Sequence, residues 1–425
     1  MKKSGLSVLL ILLLLSCQPP VVERIDKLAA VQPESAGFSS QRLARIDSML
    51  THYTNQGWIN GAVAFVAHDS RVVYHKAIGY NDLQTRQSLK PDDIFRIASQ
   101  TKAITSVAAM MLYEEGKFLL DDPVATYIPA FAKISVLEKF NPKDTTYTTV
   151  PAKRPITVRD LLTHTSGIGY AQIGSPEANS IYAKNKITAG LDIHNDTLED
   201  AINRLASLPL MHQPGERWTY GLNTDVLGRL VEVWSGTTLE KFFHDRIFQP
   251  LGMNDTYFNL PQEKAERLVN FFITNNNGQL EKAGAGLGTS INYPLQPTAY
   301  FSGGAGLSST IYDYAIFLQM LLNGGEYNGA RILSRNSVRM MTMNQIGDLN
   351  LGDNKFGLGF SIVTEKGSSM LPHQQGTFSW GGAFSTTYWV DPKERLVVLL
   401  YRQMWGPHRE IDDIFKVLVY QSITD

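Results

Sequence analysis

Apolar positions recur along the chain in two different rhythms. Residues 41–55 carry apolar side chains every three or four positions, which predicts an amphipathic helix. Residues 62–67 and 72–78 are two apolar runs joined by a short polar turn, a pattern typical of a β-hairpin. Residues 386–390 and 396–402 predict a second hairpin, which an amphipathic helix follows. Strands are therefore expected at both ends of the chain.

The middle of the chain is instead dominated by helical periodicity. Residues 99–115 form an apolar run that ends at Gly116, which predicts a buried helix with a glycine stop. Residues 168–196 are polar and glycine-punctuated, and we expect a mobile or substrate-covering loop there. Further helices are predicted at residues 198–208, 225–234, 239–248, 309–322 and 410–421.

This order of elements predicts an α+β fold with two lobes. The chain has 425 residues, which is more than one hydrophobic core usually organises. An antiparallel sheet built from both chain ends and flanked by helices would form one lobe, and the middle would insert a mainly helical lobe. We place the sheet lobe at residues 35–95 and 355–425 and the helical lobe at residues 96–354. The cleft between them is the expected site.

The first sixteen residues have the pattern of an export signal. Two lysines precede an apolar run over residues 6–15, which is too short to span a bilayer permanently. The junction Leu14-Leu15-Ser16-Cys17 resembles a bacterial lipobox, whose cysteine is lipidated after cleavage; an ordinary secretory signal with an incidental cysteine is the alternative. We expect an exported protein held on a bacterial membrane by this anchor, facing the periplasm or the exterior. The predicted segments are a signal peptide (1–16), a lipid-anchored linker (17–34) and a folded domain (35–425).

Charge and composition exclude several functions. Lys and Arg number 39 against 40 Asp and Glu, and no basic run stands out, so nucleic-acid binding is disfavoured. Cys17 is the single cysteine, which excludes an intramolecular disulfide, a cysteine-ligated zinc site and a cysteine nucleophile in the folded domain. The nine histidines show no metal-ligand spacing. No metal and no cofactor is expected.

A candidate nucleophile stands at the start of the most apolar helix, in Ser99-Gln100-Thr101-Lys102. Residues three apart share a helical face, so the Lys102 amine can reach the Ser99 hydroxyl and take its proton. A helix N-terminus also directs free backbone amides toward a developing negative charge. Taken alone the spacing is weak, and a solvated helix start is the simpler interpretation.

Two later segments can complete a site. Tyr220 follows the turn Pro214-Gly215 and would stand on a loop that enters the next helix. Trp380-Gly381-Gly382 precedes the terminal hairpin and would give the sheet a glycine-lined edge, where a ligand can approach the backbone. All three segments are expected to converge on one cleft.

The ordered set of motifs resembles the serine β-lactamase-like hydrolases, which include penicillin-binding proteins, class C β-lactamases and related esterases. The resemblance spans about residues 35–420, and the ordered set is specific where each motif alone is not. Besides Ser-x-x-Lys, it rests on residues 160–168, Gln213-Pro214-Gly215 with Tyr220, Pro250-Leu251-Gly252-Met253, Gly303-Gly304-Ala305-Gly306-Leu307 and Trp380-Gly381-Gly382.

The resemblance implies a role for each of these residues. Ser99 would be the acylated nucleophile, Lys102 its proton partner and Tyr220 the general base. The backbone amides of Ser99 and Ala383 would form the oxyanion hole. Water would then hydrolyse the acyl-enzyme.

Departures from the family pattern bear on the substrate. Penicillin-recognising relatives usually carry Asn where this chain has Leu222, and Lys or His where it has Trp380. Neither side chain here can hold an amide or a carboxylate, so a small neutral carboxylic ester should fit better than a carboxylate-bearing amide. Leu222, Trp380, Gly381 and Gly382 are the predicted substrate contacts. A D-alanyl-D-alanine carboxypeptidase, a weak class C-like β-lactamase and a non-catalytic penicillin-binding or sensor protein are the alternatives.

Overall fold

The computed structural model describes residues 27–187, 190–191, 193, 195–284 and 290–424. The predicted signal peptide and Cys17 lie outside these ranges, so export and lipid anchoring stay predictions. None of the helices within the ranges is long and apolar enough to cross a membrane.

Strands occur in both end regions and also, unexpectedly, throughout the middle of the chain. They are β1 (Ala29–Ala30), β2 (Gly61–His68), β3 (Arg71–Asp82), β4 (Gln87–Ser88), β5 (Ile94–Arg96), β6 (Ser135–Phe140), β7 (Tyr147–Pro151), β8 (Thr256–Tyr257), β9 (Phe272–Thr274), β10 (Leu280–Lys282), β11 (Ser308–Thr310), β12 (Glu326–Tyr327), β13 (Ala330–Arg331), β14 (Asn354–Phe356), β15 (Ser361–Val363), β16 (Phe378–Gly382), β17 (Thr386–Asp391), β18 (Leu396–Tyr401) and β19 (Met404–Trp405).

The helices match the predicted ones closely and add a few short pieces. The α-helices are α1 (Ser40–Asn55), α2 (Thr101–Glu114), α3 (Val158–Leu162), α4 (Pro176–Lys184), α5 (Leu198–Ala206), α6 (Asn223–Ser235), α7 (Leu239–Phe243), α8 (Gln249–Leu251), α9 (Ile311–Leu322), α10 (Arg335–Met341), α11 (Glu365–Ser368) and α12 (Glu410–Tyr420). A π-helical turn covers His244–Phe248, and 3₁₀ turns cover Pro33–Ala36, Ala98–Gln100, Val124–Thr126, Pro129–Lys133, Gln262–Arg267 and Tyr293–Leu295.

The main sheet joins the two ends of the chain, as the apolar runs predicted. Among the described residues it has nine strands, in the order β1-β3-β2-β18-β17-β16-β15-β14 with β4 beside β3. The two ends meet where β2 pairs antiparallel with β18, with Phe65 opposite Leu399. The strand Ala29–Ala30, which the sequence assigned to the linker, pairs in parallel with β3.

Both faces of the sheet are buried because successive side chains of a strand point to opposite faces. On β18, Val398 faces a cluster that includes Ile46 of α1 and Phe415 of α12. Its neighbour Leu399 faces the larger core, which contains the apolar sides of α2, α6 and α9. The sheet is therefore a middle layer, and the candidate nucleophile lies in the 3₁₀ turn Ala98–Gln100 that leads directly into α2.

The middle of the chain departs from prediction in two places, and a third segment, near the C-terminus, agrees with it. Its small sheets, β5-β11-β8, β10-β9-β19, β6-β7 and β12-β13, contradict the expectation that strands occur only at the ends. Strands of two to six residues are too short for periodicity to distinguish them from loops. The predicted loop 168–196 contains α4, which Ser175 caps by accepting the Ala178 amide. Trp380-Gly381-Gly382 belongs to β16, as a continuation of the sheet. In the described register β15 pairs only with Phe378 and Ser379, so these three residues pair with β17 alone and form the glycine-lined edge that the sequence predicted.

Candidate active site

Three side chains, Ser99, Lys102 and Tyr220, come from two distant segments and meet at the N-terminal end of α2. The Tyr220 hydroxyl donates a hydrogen bond of 2.6 Å to Ser99 Oγ. Lys102 Nζ lies 3.3 Å from the same oxygen. The sequence predicted this convergence. In the structure the Lys102 amine and the Tyr220 phenol both lie within hydrogen-bonding distance of the Ser99 hydroxyl.

The turn that carries Ser99 has an unusual backbone. Ala98 has φ 43° although it is not glycine, and such a left-handed residue costs about 1 to 3 kcal/mol. Neighbouring segments hold the turn in place: Ile97 donates its amide to Leu307 O at 3.1 Å, and Tyr401 donates its hydroxyl to Gln100 Oε1 at 2.5 Å. The nucleophile is therefore presented on a fixed support.

Lys102 is buried, with 2% of its surface exposed, so its amine needs partners. It donates a hydrogen bond of 2.6 Å to the Gly304 carbonyl. It also lies 4.7 Å from the ring centre of Tyr220 and 5.6 Å from that of Tyr170, within the range of cation–π attraction. These contacts aim the amine at Ser99.

Aromatic rings enclose Tyr220. Tyr170 stacks on it at 5.5 Å between ring centres, and Trp380 packs against it at 5.7 Å. Trp218 lies 6.2 Å away on a nearly parallel plane. The phenol therefore reaches Ser99 from a rigid, largely apolar wall.

His164 lies 5.1 Å from the Tyr220 ring but takes part in a separate hydrogen-bond network. The Asn223 amide contacts His164 Nδ1 at 3.0 Å, and Ser166 donates a short hydrogen bond to Asn223 Oδ1. Burial, assisted by the charge of Lys102, lowers the pKa of His164 well below its usual range. A neutral, buried imidazole in this network has a packing role and is not in contact with Ser99 among the hydrogen bonds of the described residues.

The end of β16 approaches the nucleophile turn closely. A Cβ atom on Gly382 would lie 2.4 Å from the Ile97 carbonyl oxygen, so only glycine fits there. The next residue, Ala383, donates its amide to no residue within the described ranges, while its carbonyl accepts a hydrogen bond of 2.8 Å from Trp405 Nε1. The Ser99 and Ala383 backbones thus belong to adjoining segments.

One predicted substrate contact is wrong. Leu222 is 1% exposed and packs in the main core. Its amide donates to Gly169 O at 3.0 Å, which fixes the residue at the entry to α6 with its side chain directed inward. Gly381 and Trp380 remain on β16 beside Tyr220, where Gly381 pairs with Thr387.

Sequence reasoning missed the groups behind Lys102. Asp225 is fully buried, and its Oδ1 accepts hydrogen bonds from Ser302 Oγ at 2.6 Å and from the Gly304 amide at 3.3 Å. A carboxylate within the apolar first turns of α6 was the one available signal. In the described part of the chain, no group of three His, Cys, Asp or Glu side chains is arranged to hold a metal ion.

Comparison with known proteins places this geometry in a family. The sequence model of the Beta-lactamase family matches residues 46–421. An uncharacterized protein of Mycobacterium tuberculosis is 35% identical over 370 residues, which cover 84% of this chain and 88% of that one. Esterase EstB of Burkholderia gladioli is 30% identical over 404 residues, covering 89% and 96% of the two chains.

Solved structures of other proteins share this fold. The structure of EstCE1, a hydrolase with promiscuous acyltransferase activity, matches with a TM-score of 0.76 and 25% identity over 89% of this chain and 99% of that one. Together with the family match, this similarity accounts for the two-lobed fold and for the motif order. The chain belongs to the Beta-lactamase family and is a serine hydrolase.

Proposed function

We propose that this chain hydrolyses carboxylic esters through an acyl-enzyme on Ser99. Ser99 Oγ attacks the ester carbonyl carbon and gives its proton to the phenolate form of Tyr220, whose negative charge the Lys102 ammonium balances. The tetrahedral intermediate then expels the alcohol, which takes that proton back. Water attacks the acyl-enzyme by the same route and releases the acid, leaving Ser99 protonated again.

The observation that carries this proposal is the 2.6 Å contact between the Tyr220 hydroxyl and Ser99 Oγ. General acid–base catalysis requires the proton carrier within about 2.6 to 3.2 Å of the group that it serves. Lys102, at 3.3 Å from Ser99 and beside the Tyr220 ring, keeps positive charge next to the phenol oxygen as it loses its proton. Three such groups in contact are more than a binding protein requires.

The backbone supports the charged step of the reaction. The Ser99 amide lies at the start of α2, where unsatisfied amides and the helix dipole favour negative charge. The Ala383 amide follows the close approach of Gly382 to Ile97. We assign these two amides to the oxyanion that forms when Ser99 attacks.

The surroundings favour a neutral ester over a carboxylate-bearing amide. Trp380 packs against Tyr220 and carries no charge with which to hold a substrate carboxylate. A pocket of about 430 Å³ borders Tyr170 and Tyr220 and can take part of a substrate; its lining is mixed, with apolar Leu137 and Met211 beside charged Glu138, Glu177 and Arg217. The esterase and hydrolase activities of EstB and EstCE1 agree with this choice of substrate.

The test is a hydrolysis assay with nitrophenyl esters of graded chain length beside a chromogenic cephalosporin. We expect ester turnover that Ser99→Ala abolishes and much slower cephalosporin turnover. Fast cephalosporin turnover without ester turnover would reject the ester assignment. Ligand binding without any turnover in the wild type would favour the non-catalytic alternative.

A further inference from the structure

A fully buried carboxylate lies behind the candidate triad without belonging to it. Asp225, in the first turn of α6, is 0% exposed. Its Oδ1 accepts hydrogen bonds from Ser302 Oγ at 2.6 Å, Tyr300 OH at 3.2 Å and the Gly304 amide at 3.3 Å. Its Oδ2 has no hydrogen-bond partner among the described residues. One oxygen that accepts from three donors is typical of an ionised carboxylate.

Gly304 connects this carboxylate to the candidate amine. Its amide donates to Asp225, and its carbonyl accepts the 2.6 Å hydrogen bond from Lys102 Nζ. A Cβ atom at position 304 would lie 2.3 Å from Asp225 Oδ2, so the two groups approach as closely as a glycine permits. Any shift of the Asp225 carboxylate therefore moves the carbonyl that aims Lys102.

The charges on the two sides of Gly304 are opposite and both buried. Lys102 is 2% exposed, and no carboxylate of the described residues lies within ion-pair distance of its amine. A buried charge is strongly destabilised unless a compensating charge lies nearby. The titratable groups that face Asp225 are Lys102 from α2, Tyr170 from the loop after α3 and Tyr300 from the segment before β11. Only Lys102 among them supplies positive charge.

We propose that Asp225 is a positioning residue, which holds the Gly304 carbonyl against the Lys102 amine and balances its buried charge. The inference rests on the proposed function, because positioning has a catalytic effect only if Lys102 serves Ser99. Asp225 touches neither Ser99 nor the expected substrate position. Its removal should therefore change turnover and its pH dependence, and leave substrate binding nearly unaltered.

The test compares Asp225→Asn with wild type and with Asp313→Asn, which alters a second buried carboxylate whose hydrogen bonds come from Asp255 and Thr256. In Asp225→Asn we expect kcat for a nitrophenyl ester to fall by about 10- to 100-fold with KM within about two-fold, because orientation is lost and contacts to substrate are kept. The acid limb of the pH profile should move to lower pH by about one unit, since a negative charge nearby helps a site to retain its proton. Asp313→Asn should leave both kcat and the acid limb unchanged.

The outcomes separate the two proposals. Wild type without ester turnover and without phosphonylation of Ser99 would overturn the proposed function and this inference together. Wild type with turnover but with the same kcat and acid limb in Asp225→Asn would overturn the inference alone. A purely structural role predicts a lower unfolding temperature with no move of the acid limb, and that result would also overturn it.

If Asp225→Asn does not fold, Ser302→Ala gives a milder test. It deletes the shortest hydrogen bond to Asp225, and Ser309→Ala is its control because Ser309 is equally buried but bonds Thr256 and Thr310. We expect a several-fold loss of kcat in Ser302→Ala and none in Ser309→Ala. Equal kcat in the two variants would contradict the positioning role.

Discussion

Two buried carboxylates near the N-termini of their helices, Asp225 on α6 and Asp313 on α9, have different hydrogen-bond surroundings. Asp313 is 6% exposed and accepts hydrogen bonds from the Asp255 amide at 2.7 Å and from Thr256 Oγ1 at 3.0 Å. Asp225 is fully buried and accepts from three donors. Burial raises the pKa of both carboxyl groups, that of Asp313 to about 6.

The two differ in what lies beyond their hydrogen bonds. The partners of Asp313 tie the start of β8 to the start of α9, and Thr256 Oγ1 also bonds Ser309 Oγ of β11. The partners of Asp225 include Gly304, whose carbonyl holds the buried amine of Lys102. A raised pKa therefore does not by itself identify a functional carboxyl group. What distinguishes Asp225 is its connection, through Gly304, to the second buried charge of Lys102 beside the candidate nucleophile.

The largest effect should come from removing the phenol oxygen next to Ser99. Tyr220→Phe keeps the ring contacts with Tyr170 and Trp380 but deletes the proton carrier, so kcat/KM for a nitrophenyl ester should fall by about 10²- to 10⁴-fold. The control is Tyr327→Phe, whose hydroxyl only accepts the Leu28 amide at 3.0 Å and should not affect turnover. Wild-type kcat/KM in Tyr220→Phe would remove the phenol from the mechanism.

A smaller loss of turnover should follow when the backbone amides of Ser99 and Ala383, which we assign to the oxyanion, are moved apart. The added Cβ in Gly382→Ala would lie 2.4 Å from Ile97 O, which forces β16 away from the Ser99 turn. We expect kcat to fall by about 100-fold, the usual effect of losing one oxyanion donor. In Gly381→Ala the nearest atom, Thr386 O, is 3.3 Å away, and the loss should stay below roughly ten-fold. Equal losses in the two variants would argue against this placement of the amides.

The smallest effect concerns stability and belongs to the structural carboxylate. Because the pKa of Asp313 rises from 3.8 to about 6 on folding, the folded chain holds this proton more tightly than the unfolded chain does. The free energy of unfolding therefore decreases as the pH rises from about 4 to about 6, by up to about 3 kcal/mol. Asp313→Asn should lack this decrease in urea unfolding curves measured across that range. A difference between variant and wild type that does not change with pH would contradict the assignment.

Part of this architecture could be predicted from sequence because its signals are local. Ser99 and Lys102 are three residues apart, in the 3₁₀ turn before α2 and in its first turn, and the apolar runs that form β2 and β18 are long enough to identify as strands. The position of Tyr220 depended on the ordered motifs, since no local pattern indicates which loop will reach Ser99.

The remainder depends on tertiary contacts that no short pattern encodes. Asp225 looked like an ordinary residue in the first turn of a helix, and its role emerges only when Gly304, 79 residues later, lies against it. Leu222 was assigned to the cleft because relatives usually carry a substrate-binding Asn at that position, but the turn into α6 directs it to the core. Trp380-Gly381-Gly382 lacks the alternation of a strand, so its membership of β16 was not apparent, although its open edge was predicted.

The central claim is that the Ser99 hydroxyl is the activated nucleophile of the site. It is tested most directly by incubating the protein with a fluorophosphonate and locating the adduct by peptide mass spectrometry, in wild type and in Ser99→Ala. The account predicts a single adduct on the peptide that contains Ser99 and no adduct in the variant. An adduct on another serine, or equal labelling of the variant, would contradict it.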